Sequence, residues 1–550
     1  MGFHKKVIYQ LYPKSFYDSN GDGVGDLRGI IDKIDYLKSL HVDMIWFNPF
    51  FVSPQYDNGY DVADYRNIDP RFGTMADFEE LAKKLKEAGI DIMLDMVLNH
   101  TSTEHEWFQK ALAGDKHYQA YYYIRPPKPD GSLPTNWESK FGGPAWAPFG
   151  DTGNYYLHLY ERRQADLDWH NPAVRQEAAA IINFWRAKGV HGFRFDVLNV
   201  IGKAEKLVDA PPKVASKTLY TDTPIVQDYL KELAANSFGQ DPNSVTVGEM
   251  SSTTVKNSIA YTKPENHELS MVFQFHHLKT DYKNGEKWTK EPYDFNALRD
   301  ILHTWGQQLD QGGGWQALFW NNHDQPRALN RFGNVDKYRV KSAEMLAAAI
   351  HLSRGTPYIY MGEEIGMTDP HYHSMADYVD IEAKNAYKAL LKEGKSEKEA
   401  FAIILAKARD NSRTPMQWDD SANAGFTTGT PWLRPTNQKD INVKDELAHG
   451  EIFRFYQKLI ALRKQYDVIS DGSYEPFGTD IDRLYAYERV AGADHLLVLN
   501  NFSDKAITVP LPNRFQSAKV LITNESELIP TATMTLPPYA TIALLTSEEN

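Results

Sequence analysis

Runs of β-branched and aromatic residues alternate along this chain with stretches in which apolar side chains recur every three or four positions. The runs predict strands at 7–12, 44–49, 91–97, 192–197, 245–249, 271–275, 317–321 and 357–361. Helical spacing lies between them, for example at 77–88, 173–187, 225–235, 295–309 and 341–352. Strand followed by helix implies a parallel sheet, and eight such units imply an α/β fold, a closed (β/α)8 TIM barrel. Two stretches break the rhythm. Residues 101–170 are rich in Tyr, Trp, Pro and Gly and predict an inserted domain on the loop after strand three, and a second insertion spans about 369–450. After a helix at 452–466, short β-prone runs at 484–488, 496–499, 518–522 and 540–545 predict an antiparallel β domain with one wet face. The expected division is a barrel over 1–100 and 171–470, an inserted domain over 101–170 and a C-terminal β-sandwich over 471–550.

Polar residues interrupt this pattern where the strands end. Strand three leads into Asp95, Asn99 and His100, strand four into Arg194 and Asp196, strand five into Glu249, and strand seven into Asn322, His323 and Asp324. Any one such carboxylate could simply cap the following helix. Four polar strand ends together point instead to the C-terminal mouth of a barrel, where active sites are built. Hydrolysis of a glycosidic bond needs two carboxyl groups, one to protonate the leaving oxygen and one to act as nucleophile or base. Neighbouring parallel strands lie about 4.8 Å apart, so Asp196 and Glu249 can reach the close spacing of retaining enzymes. Arg194, two residues before Asp196, is expected to keep that carboxylate ionised, while a crowded acidic pocket is expected to raise the pKa of Glu249.

Composition narrows the chemistry. The chain has 550 residues, 42% hydrophobic and 24% charged, which describes a globular protein of several domains. No apolar run approaches the ~20 residues that span a bilayer, so no membrane partner is expected. A net charge of −13 disfavours nucleic acid. The absence of cysteine excludes disulfides, thiolate metal sites and a cysteine nucleophile. No GxSxG elbow is present, which removes a serine hydrolase of that type. The first residues carry no apolar signal core, so a cytoplasmic location and a monomer are the expectation.

The segments 95–100 (DMVLNH), 192–196 (GFRFD), 247–249 (VGE) and 322–324 (NHD) resemble, in order and on the expected elements, the four signature regions of the α-amylase superfamily of glycoside hydrolases. The resemblance covers essentially the whole chain. It implies Asp196 as nucleophile, Glu249 as general acid/base and Asp324 as stabiliser of the transition state, with His100, Arg194 and His323 lining the sugar subsite. Within the superfamily, 164–169 (QADLDW) resembles a motif of the oligo-1,6-glucosidase subfamily. Asp57, Tyr60, Gln164 and Arg413 then fall where its clamp on a terminal glucose lies, and Tyr60, Phe141 and Tyr160 where aromatic walls stack on sugar faces.

Two loops carry further expectations. Asp18, Asn20, Asp22, Val24 and Asp26 supply oxygens at EF-hand-like spacing with a glycine at the sixth position, though position twelve is Gly29. The loop reads as a structural Ca²⁺ site, which the resemblance supports, or as a plain Asx/Gly turn; no organic cofactor is expected. After strand six, Lys279, Lys283, Lys287 and Lys290 follow His276 and His277, whose spacing is not that of metal ligands. On spacing alone the lysines are either a solvated loop or a site for an anion, since an acidic chain that gathers four cations near a barrel mouth focuses positive potential there. The segments 247–253, 276–288 and 160–164 resemble the superfamily members that act on α,α-trehalose 6-phosphate. That implies a phosphorylated disaccharide as substrate, with the four lysines as candidates for holding its phosphate. Isomalto-oligosaccharides of the oligo-1,6-glucosidase or dextran glucosidase kind, transglycosylating isomerisation, and a non-catalytic carbohydrate-binding scaffold are the alternatives.

Overall fold

The structure, a computed structural model, describes residues 2–547. Eight strands form one sheet, a nearly closed parallel barrel: β1 (Ile8–Leu11), β2 (Met44–Phe47), β3 (Asp91–Met96), β4 (Gly192–Phe195), β5 (Val245–Glu249), β6 (Met271–Phe273), β7 (Ala317–Leu318) and β8 (Thr356–Tyr360). The spatial order is β6-β5-β4-β3-β2-β1-β8-β7. Strands such as β2 and β4 are buried at every position, as expected where helices cover one face and the barrel interior fills the other. The largest difference from the pattern-based bounds is β7, which stops at Leu318 rather than continuing to residue 321. Asn321 instead turns its side-chain oxygen to the Ala328 amide, at 3.2 Å, and begins the loop that carries Asp324.

Contacts divide the chain into two compact units, one of Met1–Ile45, Ala88–Ile90 and Phe275–Asn550, the other of Trp46–Glu87 and Asp91–Gln274. In the second unit the insertion after β3 is closed by its own ends, because His100–Ser102 pairs antiparallel with Gln164–Asp166. Inside it a three-stranded sheet runs Ile124–Arg125, Tyr155–Leu157, Trp146–Pro148. Its core is Tyr123, Trp137, Trp146, Leu157 and Leu159 against Val200 and Tyr220. The buried ammonium of Lys203 fastens the closure, lying 2.8 Å from Asp166, 3.0 Å from Asn99 and 2.8 Å from the Val200 carbonyl. The helix Pro172–Arg186 then begins on an Asn171 N-cap with proline in its first turn and buries Val174, Ala178, Ile181, Ile182 and Trp185.

The first unit holds β1, β7 and β8, the paired helices Ile381–Lys392 and Glu397–Lys407, and the tail. The tail forms a five-stranded antiparallel sheet in the order Glu475–Phe477, Leu484–Ala491, Asp494–Asn501, Thr541–Ser547, Lys519–Thr523. A second pair, Ile507–Pro510 with Thr533–Leu536, packs Val509, Met534 and Leu536 onto Leu484, Leu497, Leu499 and Ile542. Among the described residues no helix is long and apolar enough to cross a membrane.

Candidate active site

In the second unit, strand register assembles the acid cluster. Arg194 on β4 lies level with Asp95 on β3 and with Val247 on β5. One guanidinium therefore reaches three carboxylates: Nη1 donates to Asp95 at 2.7 Å and to Asp196 at 2.8 Å, and Nη2 donates to Glu249 at 2.5 Å. Asp196 follows β4 directly, and Glu249 is the last residue of β5. Tyr60 Oη and the Trp46 indole N–H both donate to the second Asp95 oxygen, at 2.9 and 3.1 Å, and the Arg194 guanidinium lies 5.0 Å from the Trp46 ring centre. All three carboxylates are buried.

Three negative groups on one cation, removed from water, cannot all ionise at their usual pH. Burial pushes Asp196 well up despite Arg194, with the Glu249 charge acting in the same direction, and pushes Asp95 up to about 6. This departs from the sequence-based expectation that Arg194 alone would keep Asp196 ionised. The guanidinium is shared three ways, and burial outweighs its pull at both Asp196 and Asp95. Val197, next after Asp196, adopts φ 38° and ψ 42°, left-handed backbone that a β-branched residue rarely takes. That turn aims its N–H at Glu249 Oε2, at 3.2 Å. Strain at such a position is typically about 1–3 kcal/mol and is held by its surroundings.

The remaining predicted sugar-site residues of this unit gather around the same strand ends. His100 is buried and held neutral, its pKa lowered to about 4 by desolvation. Its Nε2–H donates to the Tyr60 carbonyl at 3.1 Å, and its Nδ1 accepts from Asn99 at 3.0 Å. Gln164 donates to Asp57 at 3.1 Å, and Asp61 braces the Asp57 turn by accepting the Tyr56 and Asp57 amides. Tyr160 lies 5.5 Å from the His100 ring and 5.9 Å from Phe141. Its hydroxyl is buried without a hydrogen-bond partner, a donor that a sugar hydroxyl could satisfy.

The first unit carries a second cluster with different electrostatics. Asp324 Oδ1 accepts from Arg413 Nη2 at 2.7 Å and from Arg409 Nη1 at 3.3 Å, while Oδ2 lies 3.3 Å from His323 Nε2. Arg413 Nε also donates to the His323 carbonyl at 2.7 Å, and the Gln10 amide meets His323 Nδ1 at 3.0 Å. Arg409 clasps Asp380 at 2.6 and 3.0 Å. The guanidinium outweighs burial enough to hold that carboxyl down at about 2. Arg409, Asp380 and Glu382 escaped the sequence reading. The signal was present in the four-residue spacing of Arg409 and Arg413 just before a resembled motif, but the acids come from another segment of the insertion.

The four lysines differ in their surroundings. Lys287 is half-buried and places its ammonium 2.9 Å from both oxygens of Glu382, whereas Lys283 pairs with Glu291 at 3.1 Å. Lys279 and Lys290 are exposed. The loop's base is pinned by buried Asp281, which accepts from Arg331 at 2.8 and 3.1 Å and lies 2.7 Å from Lys407. His277, in a 3-10 turn rather than a strand, donates to the Phe319 carbonyl at 2.9 Å.

Among the described residues no three or more His, Cys, Asp or Glu side chains gather in metal-holding geometry. In the 18–26 loop, Asp18 accepts the amides of Asn20, Gly21 and Gly23, and Asp22 accepts that of Val24. Asp18, Asn20, Asp22 and the Val24 carbonyl remain an all-oxygen set of the kind that suits a hard cation. Asp26 caps the helix Leu27–Asp32 through Gly29 and accepts from the Ser19 amide.

Residues 10–472 match the family described as alpha amylase, catalytic domain, and 484–543 match the alpha-amylase SusG C-terminal domain. The chain is 48% identical over 546 residues to trehalose-6-phosphate hydrolase of Bacillus subtilis (strain 168), covering 98% of this chain and 97% of the relative. It is 47% identical over 529 residues to oligo-1,6-glucosidase of Parageobacillus thermoglucosidasius, covering 94% of each. The crystal structure of Bacillus licheniformis trehalose-6-phosphate hydrolase superposes with a TM-score of 0.95 at 49% identity, over 99% of this chain and 100% of that one.

Proposed function

The chain belongs to the α-amylase family of glycoside hydrolases, and from that premise we propose that it hydrolyses α,α-trehalose 6-phosphate to glucose and glucose 6-phosphate with retention of configuration. Asp196 attacks the anomeric carbon of the unphosphorylated glucose while Glu249 gives its proton to the departing oxygen, so glucose 6-phosphate leaves first. Water then opens the glucosyl-enzyme, with Glu249 now taking the proton. Asp324 binds ring hydroxyls in the distorted transition state. In this reading Asp57, Tyr60, His100, Phe141, Tyr160, Gln164 and Arg194 of the second unit and His323 and Arg413 of the first are assigned to binding glucose.

The observation that carries the choice of substrate is the lysine loop: a chain of net charge −13 pins this loop by a buried ion triad and sets half-buried Lys287 on Glu382, which also meets Arg409. The decisive experiment compares kcat/KM for trehalose 6-phosphate, trehalose and isomaltose. Each charge-assisted hydrogen bond to phosphate contributes about 1.5–3 kcal/mol, so an advantage of at least about tenfold over plain trehalose is expected. Preference for isomaltose would overturn the reading in favour of an oligo-1,6-glucosidase, which the near-equal identity to that relative keeps as the second candidate.

Two further assignments belong to the proposal. A structural Ca²⁺ held by Asp18, Asn20, Asp22, the Val24 carbonyl and Asp26 would raise Tm on addition of the ion and lower it with chelator. The reaction is placed in the cytoplasm, because a charged sugar phosphate does not cross a bilayer unaided.

A further inference from the structure

Glu382 sits in an arrangement that suits a free anion better than a structural carboxylate. Both its oxygens lie 2.9 Å from the Lys287 ammonium, and one lies 3.2 Å from Arg409 Nε. Its side chain keeps 20% of its accessible surface, as does that of Lys287, while Arg409 keeps 8%. The cations are therefore held from behind and remain reachable from solvent. Lys287 is steadied by the Trp288 ring at 4.7 Å, and Arg409 by its two bonds to Asp380.

We propose that Lys287 and Arg409 form the anion site that reads the substrate's phosphate, with Glu382 as its resident counter-ion. The phosphate exchanges with Glu382 on these two cations. This rests on the substrate reading above and narrows it from four lysines to one lysine and an arginine that sequence spacing did not single out. A carboxylate brings one negative charge, a sugar phosphate close to two with three acceptor oxygens, so phosphate competes successfully where a neutral hydroxyl does not. Glu382 thus excludes weak anions and neutral sugars while yielding to phosphate. Arg409 also contacts Asp324, at 3.3 Å, so occupancy of the anion site is linked directly to a residue assigned to the transition state.

The test measures competitive inhibition by inorganic phosphate of p-nitrophenyl α-glucoside hydrolysis, a neutral reaction that does not presuppose the phosphorylated substrate. Glu382→Gln should lower the phosphate Ki at least fivefold by removing the counter-ion. Lys287→Ala should raise it at least tenfold. Lys283→Ala, whose ammonium rests on Glu291, should move it less than twofold. If Glu382→Gln leaves Ki unchanged or raises it, or if Lys283→Ala matches Lys287→Ala, the proposal is overturned. Should Glu382→Gln misfold, Lys287→Ala against Lys283→Ala still decides. This pattern of Ki with a native preference for isomaltose would leave the anion site standing and the substrate reading fallen. Preference for trehalose 6-phosphate with unaltered Ki in every variant would do the reverse.

Discussion

The two carboxylate clusters are built from the same groups and behave in opposite ways. Around Arg194, one cation faces Asp95, Asp196 and Glu249; around Arg409, three acids, Asp324, Asp380 and Glu382, face Arg409, Arg413 and Lys287. The first has more negative groups than positive ones, with Asp196 pushed well up and Asp95 up to about 6. In the second, Arg409 and Arg413 hold Asp380 down at about 2. Burial raises Asp196 and Asp95 despite their shared cation, whereas at Asp380 the guanidinium of Arg409 outweighs burial. A glycosidase needs both, one to protonate a leaving group and one to stabilise positive charge that develops on the sugar.

The most severe way to break the contrast is to remove the proton. Glu249→Gln should lower kcat/KM on a disaccharide by about 10²–10⁴, the usual worth of general acid catalysis, and by much less on a nitrophenyl glucoside that leaves without help. Asp324→Asn should depress both substrates alike, because its charge acts on the sugar and not on the leaving group. Equal losses for Glu249→Gln on the two substrates would remove the acid assignment.

Next in size is the cation itself. Arg194→Met leaves three buried carboxylates unpaired, and breaking a buried pair in this way typically takes about 3–5 kcal/mol from stability. Urea unfolding at pH 7 should show that loss, and lowering the pH should recover part of it as the acids take up protons. A loss independent of pH would mean that packing, not charge, is what Arg194 supplies.

Lys203→Met probes the insertion by the same logic. Asn99 and Asp166 would lose their shared ammonium, and protease cleavage within residues 101–170 should accelerate before any change in global unfolding.

The smallest effect sharpens the comparison through pH. Asp95 has a folded pKa above its unfolded value, so its contribution to stability is present below about 4 and is lost as pH rises through about 6. Asp380 has a depressed pKa, so its contribution is complete above about 4 and fades only towards 2. Between pH 4.5 and 8 the stability of wild type relative to Asp95→Asn should therefore fall with rising pH, while its margin over Asp380→Asn should stay flat. Parallel curves would contradict the division between the clusters.

The sequence by itself determined the barrel, because period-two and period-3.6 patterns follow from local geometry and repeat eight times. It also placed Asp196 and Glu249 at strand ends, since a polar residue that terminates an apolar run is visible without any contact map, but not the early end of β7 that leaves Asp324 on a loop. Strand register, unseen in the pattern, decided that Arg194 lies level with Asp95 and so serves three acids rather than one. Only the tertiary structure joined Lys287, Glu382 and Arg409, which are separated by 95 and 27 positions along the chain. It also distinguished Lys287 from Lys283, four residues away on the same loop. Spacing carries the periodicity of an element, whereas a pKa and an ion pair depend on the count and distance of charges from distant segments, which only the folded chain brings together.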